Sequence, residues 1–299
     1  MEAMKRPPPD IEIPILAEAK RLEIVTRGAV DTLLQGSYRS TFRGRGLEFH
    51  QVREYTPEDD TRSIDWNVTA RLNAPFVKQF VEERELHLVL AVDLSASLGH
   101  GSGPLSKRET VLRLCSALAF AATRQQDRVG LMIFTDRVEY FSPPRKGRGV
   151  SLRVVRELAG FKPEGKRTDF APALRLLARA LKRRSVLFLV SDFTDPVPMD
   201  EVSLLAKRHD FVAAVVKDPL EELSDVPARL AVRDPETGRT AVITRGTLSA
   251  LKRASKAREE QLGEMGAKGA DRLDVMAGED LLPLLMRFFR RRIERMARR

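Results

Sequence analysis

The chain has 299 residues, of which 42% are hydrophobic and 31% are charged, a composition typical of a folded globular protein. Its single cysteine, Cys115, excludes an internal disulfide and any multi-cysteine zinc site. The formal net charge of +10 favours acidic partners, such as a polyanion, an anionic membrane or a negatively charged protein surface. The sequence contains no apolar run of about 18 residues, and residues 1–9 do not resemble a secretory signal, so we expect a cytoplasmic protein.

The beginning of the chain differs in character from the rest. Residues 13–35 place apolar side chains at helical spacing and predict an amphipathic helix. Residues 39–84 are rich in charge, glycine and turn residues, with short extended pieces at 47–55 and 76–81. We therefore predict two parts: an N-terminal helix and motif segment over residues 1–84, and an α/β domain over residues 85–299.

The sequence after residue 85 predicts the fold class. Strands are predicted at 86–92, 129–134, 186–191 and 211–216, and helices at 106–123, 149–158, 170–181 and 200–207. The later elements are a hairpin at 228–233 and 240–244, a helix at 247–266, a strand at 273–276 and a last helix from Glu279 or Asp280. Strands that alternate with helices form a mostly parallel sheet with helices on both faces. Cys115 falls in a predicted helix, which favours core packing over reactivity.

Three segments bring oxygen-bearing side chains to one predicted edge of this sheet. Asp93-Leu94-Ser95-Ala96-Ser97 follows the first strand, Thr168 lies in the loop 165–169, and Asp192 follows the strand 186–191. Loops at the carboxyl ends of neighbouring strands converge in open α/β sheets, and hydroxyl and carboxylate oxygens suit a hard cation. The alternative is structural: the two serines cap the next segment, Thr168 or Asp169 caps a helix, and Asp192 holds a turn.

Asp93, Ser95, Ser97, Thr168 and Asp192, in this order, resemble the metal-ion-dependent adhesion site of von Willebrand factor A domains. The resemblance implies a Rossmann-like fold and a bound divalent cation, Mg²⁺ or another such as Mn²⁺ or Ca²⁺. It also implies roles: the two serines and the threonine bind the ion through their hydroxyls, and the two aspartates act mostly through water. One coordination position then stays open for a carboxylate from a partner protein.

A second block of residues carries a more specific resemblance. The segments 44–49 and 53–66 resemble the leading part of domain-of-unknown-function family 58, a bacterial and archaeal group built around a von Willebrand A-like domain. The resemblance continues through 69–71, Glu83-Arg84 and the Asp93 motif, and covers most of the chain from about Gly36. Two positions depart from the family pattern: Glu58 stands where Gly is common, and Leu98 where Met is common. The chain is most similar to the soluble subgroup encoded beside MoxR-type AAA+ ATPases.

The charges in the second block suggest a structural clasp. We predict that its acids and arginines pair with one another and that Trp66 fills a hole against the sheet; a second binding site is the alternative. The charged members of the clasp are Arg53, Asp59, Asp60, Arg62 and Asp65.

Two familiar sites are not supported by the sequence. Residues 160–166 resemble the start of a phosphate-binding loop, but Arg167 stands where a Ser or Thr should bind magnesium, and the segment follows a predicted helix rather than a strand. The histidines His50, His87, His100 and His209 are scattered, which gives little support to a histidine metal site or a catalytic triad.

The end of the chain predicts a basic amphipathic helix. Residues 287–299 hold seven arginines and one acid. An apolar stripe runs through the helix, formed by Leu281, Leu285, Phe288, Phe289, Ile293 and Met296. We expect the helix to dock on the sheet with its basic face in solvent; contact with a membrane surface or a polyanion is the alternative. Because aromatic residues typical of base stacking are not interleaved with the arginines, sequence-specific nucleic-acid binding is not expected.

These observations lead to one functional expectation with two rivals. We expect a non-enzymatic, divalent-metal-dependent interaction module whose Lys166 and Arg167 help attract an acidic partner. By resemblance, that partner is a MoxR-type AAA+ ATPase, with this chain as its adaptor or co-chaperone. The rivals are a Mg²⁺-dependent phosphoesterase that uses Asp93 and Asp192, and a basic protein that binds a membrane surface or a polyanion.

Overall fold

The computed structural model describes residues 48–56, 59–60, 64–72, 74–81, 86–99, 101–147, 149–222, 230–233, 240–243 and 248–297. The predicted helix at 13–35 lies outside these residues, as do Arg62 and His100.

The described part of the chain begins with short elements and then alternates strands with helices. In chain order these elements are β1 (Glu48–Glu54), α1 (Trp66–Leu72), β2 (Phe76–Val81), β3 (His87–Asp93), α2 (Lys107–Arg124), β4 (Arg128–Phe134), β5 (Val138–Arg145), α3 (Val150–Gly160), α4 (Phe170–Ala180), β6 (Val186–Ser191), α5 (Met199–Arg208), β7 (Asp210–Lys217), β8 (Leu230–Arg233), β9 (Thr240–Ile243), α6 (Leu248–Ala267), β10 (Asp271–Met276) and α7 (Leu281–Ala297). Short 3₁₀ turns lie at Ala96–Gly99 and Pro219–Glu222.

A six-stranded sheet organises the protein, with strand order β10-β7-β6-β3-β4-β5. All neighbouring pairs in it are parallel except β4 and β5, which are antiparallel. Parallel neighbours need long crossover connections, which the helices supply, whereas β5 follows β4 after only a short turn at 135–137. Two separate antiparallel pairs are formed by β1 with β2 and by β8 with β9.

Helices cover both faces of this sheet. On one face, Leu88, Leu90 and Val92 of β3 pack in a cluster that also contains buried side chains of α2, α3 and α7. On the other face, Val89 and Ala91 belong to a cluster with α4, α5 and α6. A strand that is buried on both faces needs apolar residues at every position, which is why β3 and β6 are continuous apolar runs. The predicted α/β class, with a mostly parallel sheet between helices, is confirmed.

Most predicted elements lie within two residues of their observed bounds. The strand at 186–191 and the extended piece at 76–81 match β6 and β2. The last helix begins after Asp280, whose carboxylate accepts a hydrogen bond from the Leu282 amide at 3.1 Å and so caps the helix. Cys115 is fully buried in α2, and burial raises the pKa of its thiol, as expected for a packing role.

Strand β5 and helix α1 were not predicted. β5 contains Pro143 and Pro144, and proline removes a backbone donor; it is tolerated here because β5 is an edge strand. Helix α1 has only seven residues. Its start is fixed by Asp65, whose side chain accepts a hydrogen bond from the Val68 amide at 3.3 Å.

The predicted clasp is confirmed for one pair and wrong for the tryptophan. Arg53 donates two hydrogen bonds to Asp59, at 2.8 and 2.5 Å, and this contact lowers the pKa of Asp59 to about 2. Trp66, however, is 70% exposed. It is the first residue of α1 and lies on the solvent side of that helix instead of filling a hole against the sheet.

The C-terminal helix docks on the sheet as predicted. Leu281, Leu285, Phe288 and Phe289 are buried in the cluster with β3. Arg292 is also buried; it forms ion pairs with Asp210 and with Asp271, at 3.1 Å for the latter. The side chains of Ile293 and Met296 lie outside the described residues.

Candidate functional site

The predicted site residues lie where the parallel strands end, which we call the carboxyl edge of the sheet. Strand β3 ends at Asp93 and β6 ends at Ser191. Because the two strands are parallel neighbours, with Val92 opposite Val190, Asp93 and Asp192 are brought to the same place. The loop before α4 carries Thr168 to this edge. This loop follows helix α3 and not a strand, as predicted, which argues against a phosphate-binding loop at 160–166.

Asp93 is the buried centre of the group. One oxygen, Oδ1, accepts a hydrogen bond from the Ser95 amide at 2.8 Å. The other, Oδ2, accepts from the hydroxyls of Ser191 at 2.7 Å and Thr168 at 3.3 Å. Burial, together with the negative charge of Asp192, raises the pKa of Asp93 to about 7. In this buried setting the carboxylate of Asp93 favours binding of either a proton or a cation.

The hydroxyls lie beside this carboxylate. Ser95 Oγ and Ser97 Oγ are 3.1 Å apart. The Ala96 amide donates to the Lys166 carbonyl at 3.0 Å, so the serine segment and the threonine loop are tied together through the backbone. The structure thus brings together the three hydroxyls and Asp93, as the sequence predicted.

Asp192 completes the set and has a cationic neighbour. Its Oδ2 accepts a hydrogen bond from Lys107 Nζ at 2.8 Å, and its Oδ1 accepts from Thr194 Oγ1 at 3.1 Å. Burial opposes ionisation of Asp192, but the Lys107 ammonium outweighs it, and the pKa of this carboxyl lies below its ordinary value. A hydrogen bond from Ser97 also favours the ionised form, which links Asp192 to the serine pair.

The residue after Asp192 adopts an uncommon backbone conformation. Phe193 has a φ of +55°, in the left-handed region that a bulky residue rarely occupies. Its ring stacks on Phe170 with 5.6 Å between centroids, and its amide donates to Ser191 Oγ at 3.2 Å. Such conformations persist only where surrounding packing enforces them, and they occur often at functional sites.

The structural alternative is right for Asp169 and for the turn at Asp192. Asp169, not Thr168, is the N-cap of α4, because its side chain accepts a hydrogen bond from the Ala171 amide at 2.9 Å. Thr168 is therefore left to contact Asp93. Asp192 does hold a turn through Thr194, but this contact uses Oδ1 and coexists with the contacts described above.

Lys107 belongs to the site but was not predicted. It is the first residue of α2, and its ammonium also contacts Glu221 Oε1 at 3.0 Å. Glu221 in turn accepts a hydrogen bond from Arg258 of α6 at 2.6 Å. One signal was available in the sequence: Lys107 precedes Val111 and Leu114 at a helical spacing of four and seven, so it shares their buried face.

Glu139 of β5 was also missed, and it holds the threonine loop. Its carboxylate accepts hydrogen bonds from the amides of Glu164 and Gly165, both at 2.8 Å, and from Thr135 Oγ1 at 2.7 Å. Gly165 packs so closely on Thr135 that an added Cβ would lie 2.2 Å from that hydroxyl oxygen. Because β5 itself was not predicted, no sequence pattern indicated that Glu139 reaches this loop.

The donor set decides which cation would fit. Across the residues that the structure describes, no three His, Cys, Asp or Glu side chains are grouped so that they could hold a metal ion. Binding at the carboxyl edge would therefore depend on the hydroxyls of Ser95, Ser97 and Thr168 beside Asp93 and Asp192. Such an all-oxygen set fits a hard divalent cation of the Mg²⁺ kind and is poorly suited to zinc.

Comparisons with known proteins place this site in a known sequence family. The sequence model described as "Protein of unknown function DUF58" matches residues 51–262. Two relatives, "Uncharacterized protein Mb1516" of Mycobacterium bovis and "Uncharacterized protein Rv1480" of Mycobacterium tuberculosis, are each 36% identical over 234 residues, which cover 77% of this chain and 74% of theirs.

Among solved structures, the chain is similar to the conserved hypothetical protein BatB from Bacteroides thetaiotaomicron. The two share 17% identity, with a TM-score of 0.47, over 72% of this chain and all of that one. Among the described helices, none is both long and apolar enough to cross a membrane.

Proposed function

The chain belongs to the DUF58 family, and we propose that this member is a non-enzymatic interaction module that binds a partner protein through a divalent cation. The observation that carries the proposal is the grouping of three neutral hydroxyls, from Ser95, Ser97 and Thr168, beside the buried carboxylates of Asp93 and Asp192. We also infer that the fold is the von Willebrand factor A-like variant of the α/β class, as the order of these residues along the sheet suggests.

Charge at the site favours an acidic ligand. Asp93 and Asp192 supply at most two negative charges, and Lys107 offsets one of them. A divalent cation here would remain incompletely neutralised, because the other ligands are neutral hydroxyls. When bound, the cation would act as a Lewis acid, and a carboxylate from a partner could complete its coordination shell and balance its charge.

The surroundings of the site support the same direction. Lys166 and Arg167 are exposed in the loop next to Thr168, and the Lys166 carbonyl is fixed by the Ala96 amide. Exposed positive charge beside a binding site accelerates encounter with an acidic partner. The family resemblance points to a MoxR-type AAA+ ATPase as that partner, with this chain as an adaptor or co-chaperone.

The two rival functions receive less support. A phosphoesterase would need a positioned nucleophile or water and strong charge compensation, yet the motif positions after Asp93 carry the neutral Ser95 and Ser97 and no second acid. A membrane or polyanion contact through α7 would use its arginines, yet Arg292 and Arg295 both form ion pairs with Asp271.

Calorimetric titration tests the proposal in two stages. We expect the wild type to bind Mg²⁺ or Mn²⁺, and Ser97→Ala to bind at least about tenfold more weakly. Ser185→Ala is the matched control, since Ser185 is a buried serine at the opposite end of β6 and its hydroxyl bonds the Arg183 carbonyl. Its metal affinity should equal that of the wild type.

The second stage titrates a MoxR-type AAA+ ATPase with this chain, in Mg²⁺ and in a chelator. We expect binding that needs Mg²⁺ and is lost in Asp93→Asn. Binding that persists in chelator and in Asp93→Asn would remove the metal from the interaction.

A further inference from the structure

Lys107 is a buried cation in an unfavourable place. Only 6% of the residue is exposed, and it opens α2, where the positive end of the helix dipole disfavours a cation. Burial alone also opposes its charged form. The positive charge therefore needs compensating interactions, which Asp192 and Glu221 supply through contacts at 2.8 and 3.0 Å.

The start of α2 fixes the direction of the lysine side chain. Ser106 forms a capping box with Glu109: the serine hydroxyl accepts from the Glu109 amide at 3.1 Å, and the Glu109 carboxylate accepts from the Ser106 amide at 2.8 Å. Lys107 follows directly and lies on the face that Val111 and Leu114 bury against the sheet. The ammonium is thus aimed at the carboxyl edge by the helix itself.

Successive ion pairs link four charges of alternating sign: Asp192, Lys107, Glu221 and Arg258. The last contact, from Arg258 to Glu221, measures 2.6 Å, and Arg258 is only 8% exposed. Glu221 contacts the same ammonium as Asp192 and is itself bound by Arg258. It therefore gives the ammonium a second partner, which would stay in place if Asp192 turned toward another cation.

Lys107 and a divalent cation would compete for the same carboxylate. Asp192 is linked to the hydroxyl group through Ser97 and to Lys107 through its Oδ2. A cation among the hydroxyls would face the ammonium across Asp192, and like charges so close in a buried setting repel strongly. Without a metal, the same ammonium neutralises Asp192 beside Asp93.

We propose that Lys107 is an internal counter-cation: it competes with the metal for Asp192, lowers the affinity of the site, and stabilises the metal-free site. The inference rests on the proposed function, because it concerns the same cation. A weakly held cation would bind most firmly when a partner's carboxylate is also present, so Lys107 would make metal and partner binding interdependent.

The test replaces Lys107 with methionine, which keeps most of the stem length and removes the charge. We expect Lys107→Met to bind Mg²⁺ about tenfold more tightly than the wild type in calorimetric titration. Its melting temperature without metal should fall, and that temperature should rise more steeply with Mg²⁺ concentration than in the wild type. A lysine that is only structural would lower the melting temperature without changing metal affinity.

Two matched variants test whether the effect on Mg²⁺ affinity comes from the charge of Lys107, from the shape of its side chain, or from any positive charge near the site. Lys107→Arg keeps the positive charge and should stay within about threefold of the wild-type Mg²⁺ affinity. Lys162→Met removes an exposed charge from the loop before α4, where solvent screens it, and should change that affinity by no more than about threefold. If Lys107→Met does not fold, the double variant Lys107→Gln with Glu221→Gln removes both charges at once and takes its place.

The outcomes distinguish this inference from the proposed function. Unchanged Mg²⁺ affinity in Lys107→Met, together with loss of binding in Asp93→Asn, overturns the counter-cation and leaves the metal site standing. Binding by Lys107→Met alone, with none by the wild type, supports the counter-cation and overturns the proposed function. No binding by either protein overturns both.

Discussion

At the carboxyl edge of the sheet, burial and the negative charge of Asp192 oppose ionisation of Asp93, and the bulky Phe193 beside them has a positive φ. At the opposite edge, where the parallel strands begin, the buried Arg292 lies between Asp210 and Asp271. The first arrangement places like charges and backbone strain together, whereas the second pairs opposite charges. Stability is best served by the second kind of arrangement, so the first is the one that needs a functional reason.

The largest effect should come from breaking the paired edge. Arg292→Met leaves the partly buried Asp210 without this cation and Asp271 with Arg295, and it should lower the free energy of unfolding by about 3 kcal/mol. Denaturant unfolding measures this loss. Arg291→Met, at an exposed neighbour, should change it by less than about 0.5 kcal/mol. Equal effects of the two substitutions would show that the buried pairing contributes nothing special.

At the carboxyl edge, a single methyl group should disturb the site. Gly165→Ala places a Cβ against the Thr135 hydroxyl and should cost between about 2 and 3 kcal/mol of unfolding free energy, because the loop must shift. Thr168 moves with that loop, so Mg²⁺ affinity should fall as well. Gly149→Ala meets no atom within 4 Å and serves as the control, with little effect on either quantity.

The amino edge should respond to acid through His209. This buried side chain has no hydrogen-bond partner for either ring nitrogen among the described residues, and burial, aided by Arg208 and Arg184, lowers its pKa to about 4 from an ordinary 6.5. Below pH 6.5 the unfolded chain takes up a proton that the folded chain refuses. Stability should therefore fall between about pH 6.5 and 4, by about 2 kcal/mol.

The difference in unfolding free energy between wild type and His209→Gln, measured across that range, isolates this contribution. The difference should depend on pH within the range and level off above it. A difference that stays flat with pH would mean that His209 does not titrate as its burial requires.

The smallest effect should come from the support of the threonine loop. Glu139→Gln keeps the shape of the side chain but loses the charge and one of the two oxygens that accept from the amides, and it should cost about 1 kcal/mol of unfolding free energy. Mg²⁺ affinity should fall by about threefold. Glu164→Gln, an exposed change in the same loop, should alter neither the unfolding free energy nor the Mg²⁺ affinity. An equal decrease in both quantities would contradict the role of Glu139 in positioning the loop.

Sequence patterns predicted those elements whose structure is determined by residues close together in the chain. Strand β6 is buried on both faces, so the bounds of its apolar run could be read directly from the sequence. The oxygen-bearing side chains after β3 were recognisable because Asp93, Ser95 and Ser97 occupy alternate positions. Strand β5 escaped prediction because its prolines are acceptable only at a sheet edge. Trp66 was placed wrongly because an aromatic side chain at the start of a short helix does not reveal which side it faces.

The missed part of the site depends on distant contacts. Lys107 meets Asp192 and Glu221 across separations of 85 and 114 residues, so only the folded sheet brings these charges together. Glu139 reaches the loop before α4 only because β5 turns back beside β4. The hydroxyls of the predicted site were visible in the sequence; the groups that set their charge and position were not.

Crystals soaked in Mn²⁺ and measured for anomalous scattering give the most direct test of the metal site. We predict a manganese peak within bonding distance of the hydroxyls of Ser95, Ser97 and Thr168 and beside Asp93, and no such peak in Asp93→Asn crystals treated in the same way. Soaked wild-type crystals without density among these hydroxyls, or with manganese bound only elsewhere, would rule out a metal-dependent module.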